Sequence, residues 1–278
     1  MAWFPRCDTT KKARTSTPTL SFVDHAAMEF YSGVIIWLDI LGAVSTGMRP
    51  QYADICTDGL GDSSKLQLKK VMGCENWAMV LIREIAVLSD WKRQMSEQGI
   101  LSMLELGKRA GDIEWRLVSG IDKLVAKLDQ VFDSSNLGSS SEDKNGKDQV
   151  NNVTQAFACA AKVYLYVTVY GPNPGLPEVS NSVSETAAVL RSFPDSQFTR
   201  KLVWPFCIAG CMAKGYQRQA FRHLASSAGI DETVFGSSWR AFQVMQTCWD
   251  MHDGVRGERR DCDWLDAMKA LGHHVLLV

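Results

Sequence analysis

Apolar positions recur at steps of three and four along most of the chain, the spacing of a single stripe on an α-helix. Residues 22–46 carry Phe22, Ala26, Phe30, Val34, Trp37, Leu38 and Leu41 on one such stripe, with Ser21 or Asp24 placed to cap its start. Comparable stripes run through residues 66–95, 99–133, 151–170, 178–192, 197–227, 231–251 and 261–271. Residues 163–170 are rich in β-branched and aromatic side chains and alone would read as a strand. The preceding Gln155-Ala156-Phe157-Ala158-Cys159-Ala160-Ala161 is strongly helical and continuous with them, so a helix is predicted throughout. The pattern predicts an all-α fold, a single-domain multi-helix bundle of stacked helices.

Two segments interrupt the stripes. Residues 133–150 hold almost no side chain able to bury apolar area and are predicted to form a disordered loop. That loop divides the chain near its middle; a flexible N-terminus over residues 1–20 is followed by the helical residues 21–278, which the family resemblance given below implies are one domain. Pro172, Pro174 and Pro177 make the second break, a stiff one, because each fixes its own backbone dihedral and together they end the preceding helix. No period of 20 to 50 residues recurs, so a solenoid of true repeats is not expected.

Composition sets the outer limits. The 278 residues are 46% hydrophobic and 22% charged, enough to bury a large core. Thirty basic against 31 acidic side chains leave a net charge of −1, which supplies no field to hold a polyanion, so direct nucleic-acid binding is not expected. Residues 1–20 contain Arg6, Lys11, Lys12 and Arg14 but no apolar run of a secretory signal. No uncharged stretch approaches the roughly 18 apolar residues of a membrane span, and a cytoplasmic or nuclear location is expected. The eight cysteines are scattered without a Cys-x-x-Cys pair. Cys207 and Cys211 share a helix face but read as small buried hydrophobes in a reducing compartment, so no metal site is expected. Gly-x-Gly-x-x-Gly, phosphate-loop, His-Glu-x-x-His and Gly-x-Ser-x-Gly motifs are absent, and no cofactor is expected.

What remains are polar groups set in apolar helices. Asp39 lies between Trp37-Leu38 and Ile40-Leu41, and a buried carboxylate must be paired, hydrogen-bonded or protonated. It reads first as an ion pair or helix-end cap, with Arg49 or Arg83 as partner, and second as a catalytic acid or base. Arg83 and Glu84 interrupt a run of aliphatic residues, and since adjacent helical residues point about 100° apart, at most one of them faces the core. Tyr166 could donate a hydrogen bond to a substrate carbonyl. His252, near a helix end, reads as a surface residue, although it joins the candidate binding set as a group able to titrate near neutrality. Nine tryptophans is high for this length, and Trp37, Trp204, Trp239 and Trp249 are candidates to line a cavity between helices.

Five separated blocks carry a family resemblance. They are Ile36-Trp37-Leu38-Asp39-Ile40-Leu41 with Val44-Ser45-Thr46-Gly47 and Arg49-Pro50; Met72-Gly73-Cys74 with Ile82-Arg83-Glu84-Ile85-Ala86-Val87-Leu88 and Trp91-Lys92; residues 158–170 with Pro172-Asn173-Pro174 and Pro177-Glu178-Val179; Leu202-Val203-Trp204-Pro205-Phe206-Cys207-Ile208-Ala209-Gly210-Cys211-Met212-Ala213; and Cys262-Asp263-Trp264-Leu265-Asp266-Ala267-Met268 with Leu271-Gly272. In this order they resemble the C-terminal regulatory domain of fungal binuclear-zinc-cluster transcription factors. The six closely spaced cysteines of that family's DNA-binding module do not occur in these residues.

Two function classes follow from that mismatch, beside a third in which the chain is a scaffold that binds protein through an exposed helix face. In the first, a stand-alone helical small-molecule-binding protein serves fungal secondary-metabolite biosynthesis as a cofactor-free cyclase or isomerase. It would hold a hydrophobic intermediate in a reactive geometry, an effect able to supply about 7–11 kcal/mol. Asp39 and Tyr166 would be catalytic, and Trp37, Arg49, Arg83, Trp204, Trp239, Trp249 and His252 would bind substrate. In the second, the chain is a transcriptional regulator or metabolite sensor that acts through a DNA-binding partner. Either way a hydrophobic small molecule is the expected ligand, and a homodimer or another protein partner stays open.

Overall fold

A computed structural model describes residues 22–53, 66–133, 141–233, 236–254 and 260–278. Among these residues the regular structure is entirely helical: α1 Phe22–Thr46, α2 Lys69–Met72, α3 Asn76–Glu97, α4 Met103–Asp133, α5 Ser141–Tyr170, α6 Pro177–Ser192, a 3-10 helix Ser196–Arg200, α7 Val203–Cys211, α8 Tyr216–Ser227, α9 Ser237–Asp253 and α10 Trp264–Leu271. The predicted all-α class stands.

Every residue of α7 is buried, as its uniformly apolar sequence requires. Pro205 sits in its first turn, where a missing backbone N–H removes no helical bond. Around α7 lie α5, α6 and α9. Residues 163–170 are helical as expected and belong to α5, which packs against α3, α4, α6 and α7 and so forms a wall for each of them. Phe157, on α5, stacks on Trp204 of α7 at 5.6 Å with the rings 4° from parallel, and Tyr164 meets the same indole edge-on.

Four differences from the sequence expectations have physical causes. The stripe over 197–227 is three elements, because the backbone breaks at Leu202 and turns again at Gly215, whose φ of +53° suits glycine. Residues 141–150 are helical, forming the first turns of α5, because the strongly helical 151–170 extends back through them. The rest of the expected loop, 134–140, and the N-terminal residues 1–20 lie outside the described residues. His252 is buried at 5% exposure, not on the surface, because the segment leading into α10 covers the last turn of α9.

The fourth difference concerns α1: Val23–Thr46 is long and apolar enough to cross a membrane, with a mean hydropathy of 1.5. Its second half is nevertheless a core helix: Ile40, Leu41, Val44 and Ser45 are all about 1% exposed, and the Val44 carbonyl accepts from Trp264 Nε1 at 3.1 Å. Its first half is bare, with Val23, Met28, Phe30, Tyr31 and Ile35 exposed. The chain finishes against the same helix: Leu277 is fully buried and its N–H donates to Ser45 Oγ at 3.3 Å.

Candidate functional site

Two open clefts gather charged residues. The first, of about 480 Å³, lies between the turn after α1, α3 and α4, and is lined by Arg49, Ala53, Arg83, Glu84, Val87, Leu88, Arg109, Asp112 and Ile113. The wall from α3 follows from helical spacing, since Arg83 and Val87, and Glu84 and Leu88, are each four apart and share a face. On α4 the residues Arg109, Asp112, Ile113 and Arg116 fall at steps of three and four, which turns all of them towards α3. Sequence reasoning passed over this second stripe, although its spacing was the available signal.

Several of the cleft's charges are paired, and Arg83 is bonded to none of these carboxylates. Arg116 bonds Glu84 through both terminal nitrogens and reaches Asp112 at 3.5 Å. Arg109 pairs with Glu105 at 2.7 Å and lies 4.4 Å over the Trp91 ring. Burial pushes the Glu84 carboxyl above its usual range, while Arg116 and Arg83 pull it back. Arg83 is 4% exposed, and its Nη1 is buried with no hydrogen-bond partner. Of the adjacent pair, the arginine is the buried one, and Glu84 stays half-buried as spacing required.

A second cleft, of about 400 Å³, is lined in part by Lys92, Tyr164, Thr168, Asp263 and Trp264. Here Lys92 and Asp263 each have a structural task. Lys92 Nζ donates to the Thr168 and Val169 carbonyls at 2.7 and 3.1 Å, closing the end of α5, and burial lowers its pKa. Asp263 caps α10: it accepts from Leu265 and Asp266 N–H, and Asp266 reaches back to the Asp263 N–H. Burial pushes the Asp263 carboxyl up to about 6, with Asp266 repelling its charge and the backbone N–H groups opposing the rise.

The residues singled out from sequence are not one constellation. Arg49 and Arg83 share the first cleft. Asp39 ties down the turn beyond α1, its two oxygens accepting from Gln51 and Tyr52 N–H at 2.9 and 3.0 Å, a capping role; Arg83 is not bonded to it. Tyr166 donates to Glu114 Oε1 at 2.6 Å and stacks on Tyr170. Trp37 is half-buried and Trp204 is core, 1% exposed, both with Nε1 unpartnered. Trp249 donates to the Gly210 carbonyl at 2.8 Å, beneath the Arg222 and Arg218 guanidinium groups. Trp239 borders a separate surface concavity with Ser237, Arg240, Val275 and Leu276. His252 Nε2 lies 2.8 Å from the Cys262 carbonyl. Among the described residues no group of histidines, cysteines and carboxylates is arranged to hold a metal ion.

Comparison with known proteins defines the family. Residues 8–278 match the fungal specific transcription factor domain. The chain is 30% identical over 260 residues to the trichothecene biosynthesis transcription regulator TRI10 of Trichoderma arundinaceum, covering 94% of this chain and 56% of that protein. It is 31% identical over 268 residues to the regulator of the same name from Fusarium sporotrichioides, covering 93% and 56%. To the ustiloxin B cluster transcription factor ustR of Aspergillus flavus it is 29% identical over 261 residues, covering 92% and 43%. The chain thus spans about half the length of the curated relatives it matches, and no solved structure matches it. These relatives overturn the expectation of a cofactor-free cyclase or isomerase, because proteins similar over nine-tenths of this chain are regulators of biosynthetic genes. The chain belongs to the fungal-specific transcription factor domain family.

Proposed function

We propose that this chain is the regulatory domain of a transcription regulator controlling a fungal gene cluster for secondary-metabolite biosynthesis, working in the nucleus. The observation that carries this reading is the match of nearly the whole chain to regulators of such clusters. The geometry supports it, since the embedded polar groups have structural tasks: Asp39 anchors a turn, Lys92 and Asp263 close helix ends, and Trp249 bridges α7 and α9. With a net charge of −1 and no six-cysteine cluster in its 278 residues, the domain reaches DNA through another module or a partner protein.

Deleting the gene is expected to lower transcripts of the biosynthetic genes it controls, measured by RNA sequencing, along with the product. Residues 1–278 fused behind a heterologous DNA-binding domain are expected to change expression of a reporter carrying that domain's site. Normal transcripts in the deletion strain together with a silent fusion would sink the proposal.

A further inference from the structure

We propose that the cleft between α3 and α4 binds a small organic monocarboxylate, with Arg83 receiving the carboxylate and an apolar body lying on Val87, Leu88 and Ile113. The inference goes beyond regulatory identity and is read by binding alone, so either proposal can fail without the other. It begins with an anomaly: a guanidinium 4% exposed, one of whose terminal nitrogens is buried and donates to nothing. A desolvated cation is costly for a fold unless an anion reaches it, and arginines so placed are ordinarily paired.

The cleft's own carboxylates are occupied elsewhere. Glu84 and Asp112 are both held by Arg116, and Arg109 is matched by Glu105 while it stacks on Trp91. Glu84 tempers the Arg83 charge through space but makes no bond to it. Arg83 is therefore left without a bonded counter-charge on the α3 wall, a vacancy that one carboxylate would fill. A planar guanidinium fork matches two carboxylate oxygens side by side, a geometry that a single halide ion cannot use. The cleft's volume of about 480 Å³ falls within the range of small-molecule sites, and its aliphatic patch beside the charge favours an amphipathic acid over a fully hydrated anion such as phosphate.

The test uses the 278-residue chain with sodium octanoate, its neutral isostere octanamide and sodium phosphate as probes, read by thermal unfolding and calorimetric titration. Octanoate is expected to bind at a single site and raise the melting temperature by roughly 5 °C at about 100 times its Kd. Octanamide and phosphate at matched concentration and ionic strength should leave it unchanged. Arg83→Met should fold at least as stably without ligand, because it removes an unpaired buried charge, and should weaken octanoate binding at least about tenfold, on the order of one lost charged pair. Val87→Glu, four residues along the same face, puts a carboxylate within reach of Arg83 and should abolish the octanoate response. Equal responses to octanoate and octanamide, a phosphate response as large as octanoate's, no response to octanoate, or octanoate binding unchanged in both variants would each overturn the assignment.

Discussion

Single atoms decide several positions in this molecule. At Gly120 of α4 an added Cβ would lie 2.5 Å from the Trp77 ring, which is rigid and has no far end to swing aside. Gly120→Ala is therefore expected to cost about 1–3 kcal/mol by overpacking, against a gain of up to about 1 kcal/mol from helix propensity. Urea unfolding would show it, and a more stable variant would refute the contact. Asp263 supplies a pH signature. Its folded carboxyl keeps the proton up to about pH 6, whereas an unfolded one releases it near about 4, so the folded state binds more protons between those values. Stability from this group is complete below about pH 4 and is lost as pH rises to about 6, by roughly 1–3 kcal/mol. Asp263→Asn keeps a good cap and should flatten that slope, while Asp263→Ala should cost about 1 kcal/mol across the range. Melting temperatures of the three proteins between pH 4 and 8 would check both statements.

At the scale of elements, the stripes located helices well and their ends less well. The helix over 22–46 was legible, because its apolar positions and its exit at Gly47 agree. The division of 197–227 was not, since α7 is apolar on every side and periodicity has no contrast to read there. The start of α5 escaped for the opposite reason: residues 141–150 carry no apolar stripe, and their helix continues the strongly helical 151–170. Of the charged cleft, α3's share was visible as Arg83 and Glu84 breaking an aliphatic run. The share from α4 was hidden, because which face of one helix meets another is set by packing that a lone stripe does not encode. Where the C-terminal segment docks is likewise a property of elements meeting. Val275 and Leu277 are at most 2% exposed, and the Val278 carbonyl accepts from Ser237 Oγ of α9. Removing residues 275–278 should cost roughly 3–5 kcal/mol, the burial of two aliphatic side chains plus two bonds. Chemical denaturation of the shortened chain would measure it, and an unchanged midpoint would show that the segment adds nothing.

For the molecule as a whole, family membership was readable from separated sequence blocks, whereas the task that those blocks serve was not. A cleft, a buried arginine and nine tryptophans suit an enzyme and a sensor equally, and only the relatives divide the two. The central position of α5 also bears on how the chain is made. Helices α3 and α4 precede the wall they both lean on, while α6 and α7 follow it. During synthesis the helices before α5 therefore leave the ribosome with their greasy sides uncovered, and they must wait for residues 153–167 to emerge. Chaperones have that interval in which to engage them, and slowing translation once residues 153–167 have cleared the ribosome gives these helices time to close before α6 and α7 arrive.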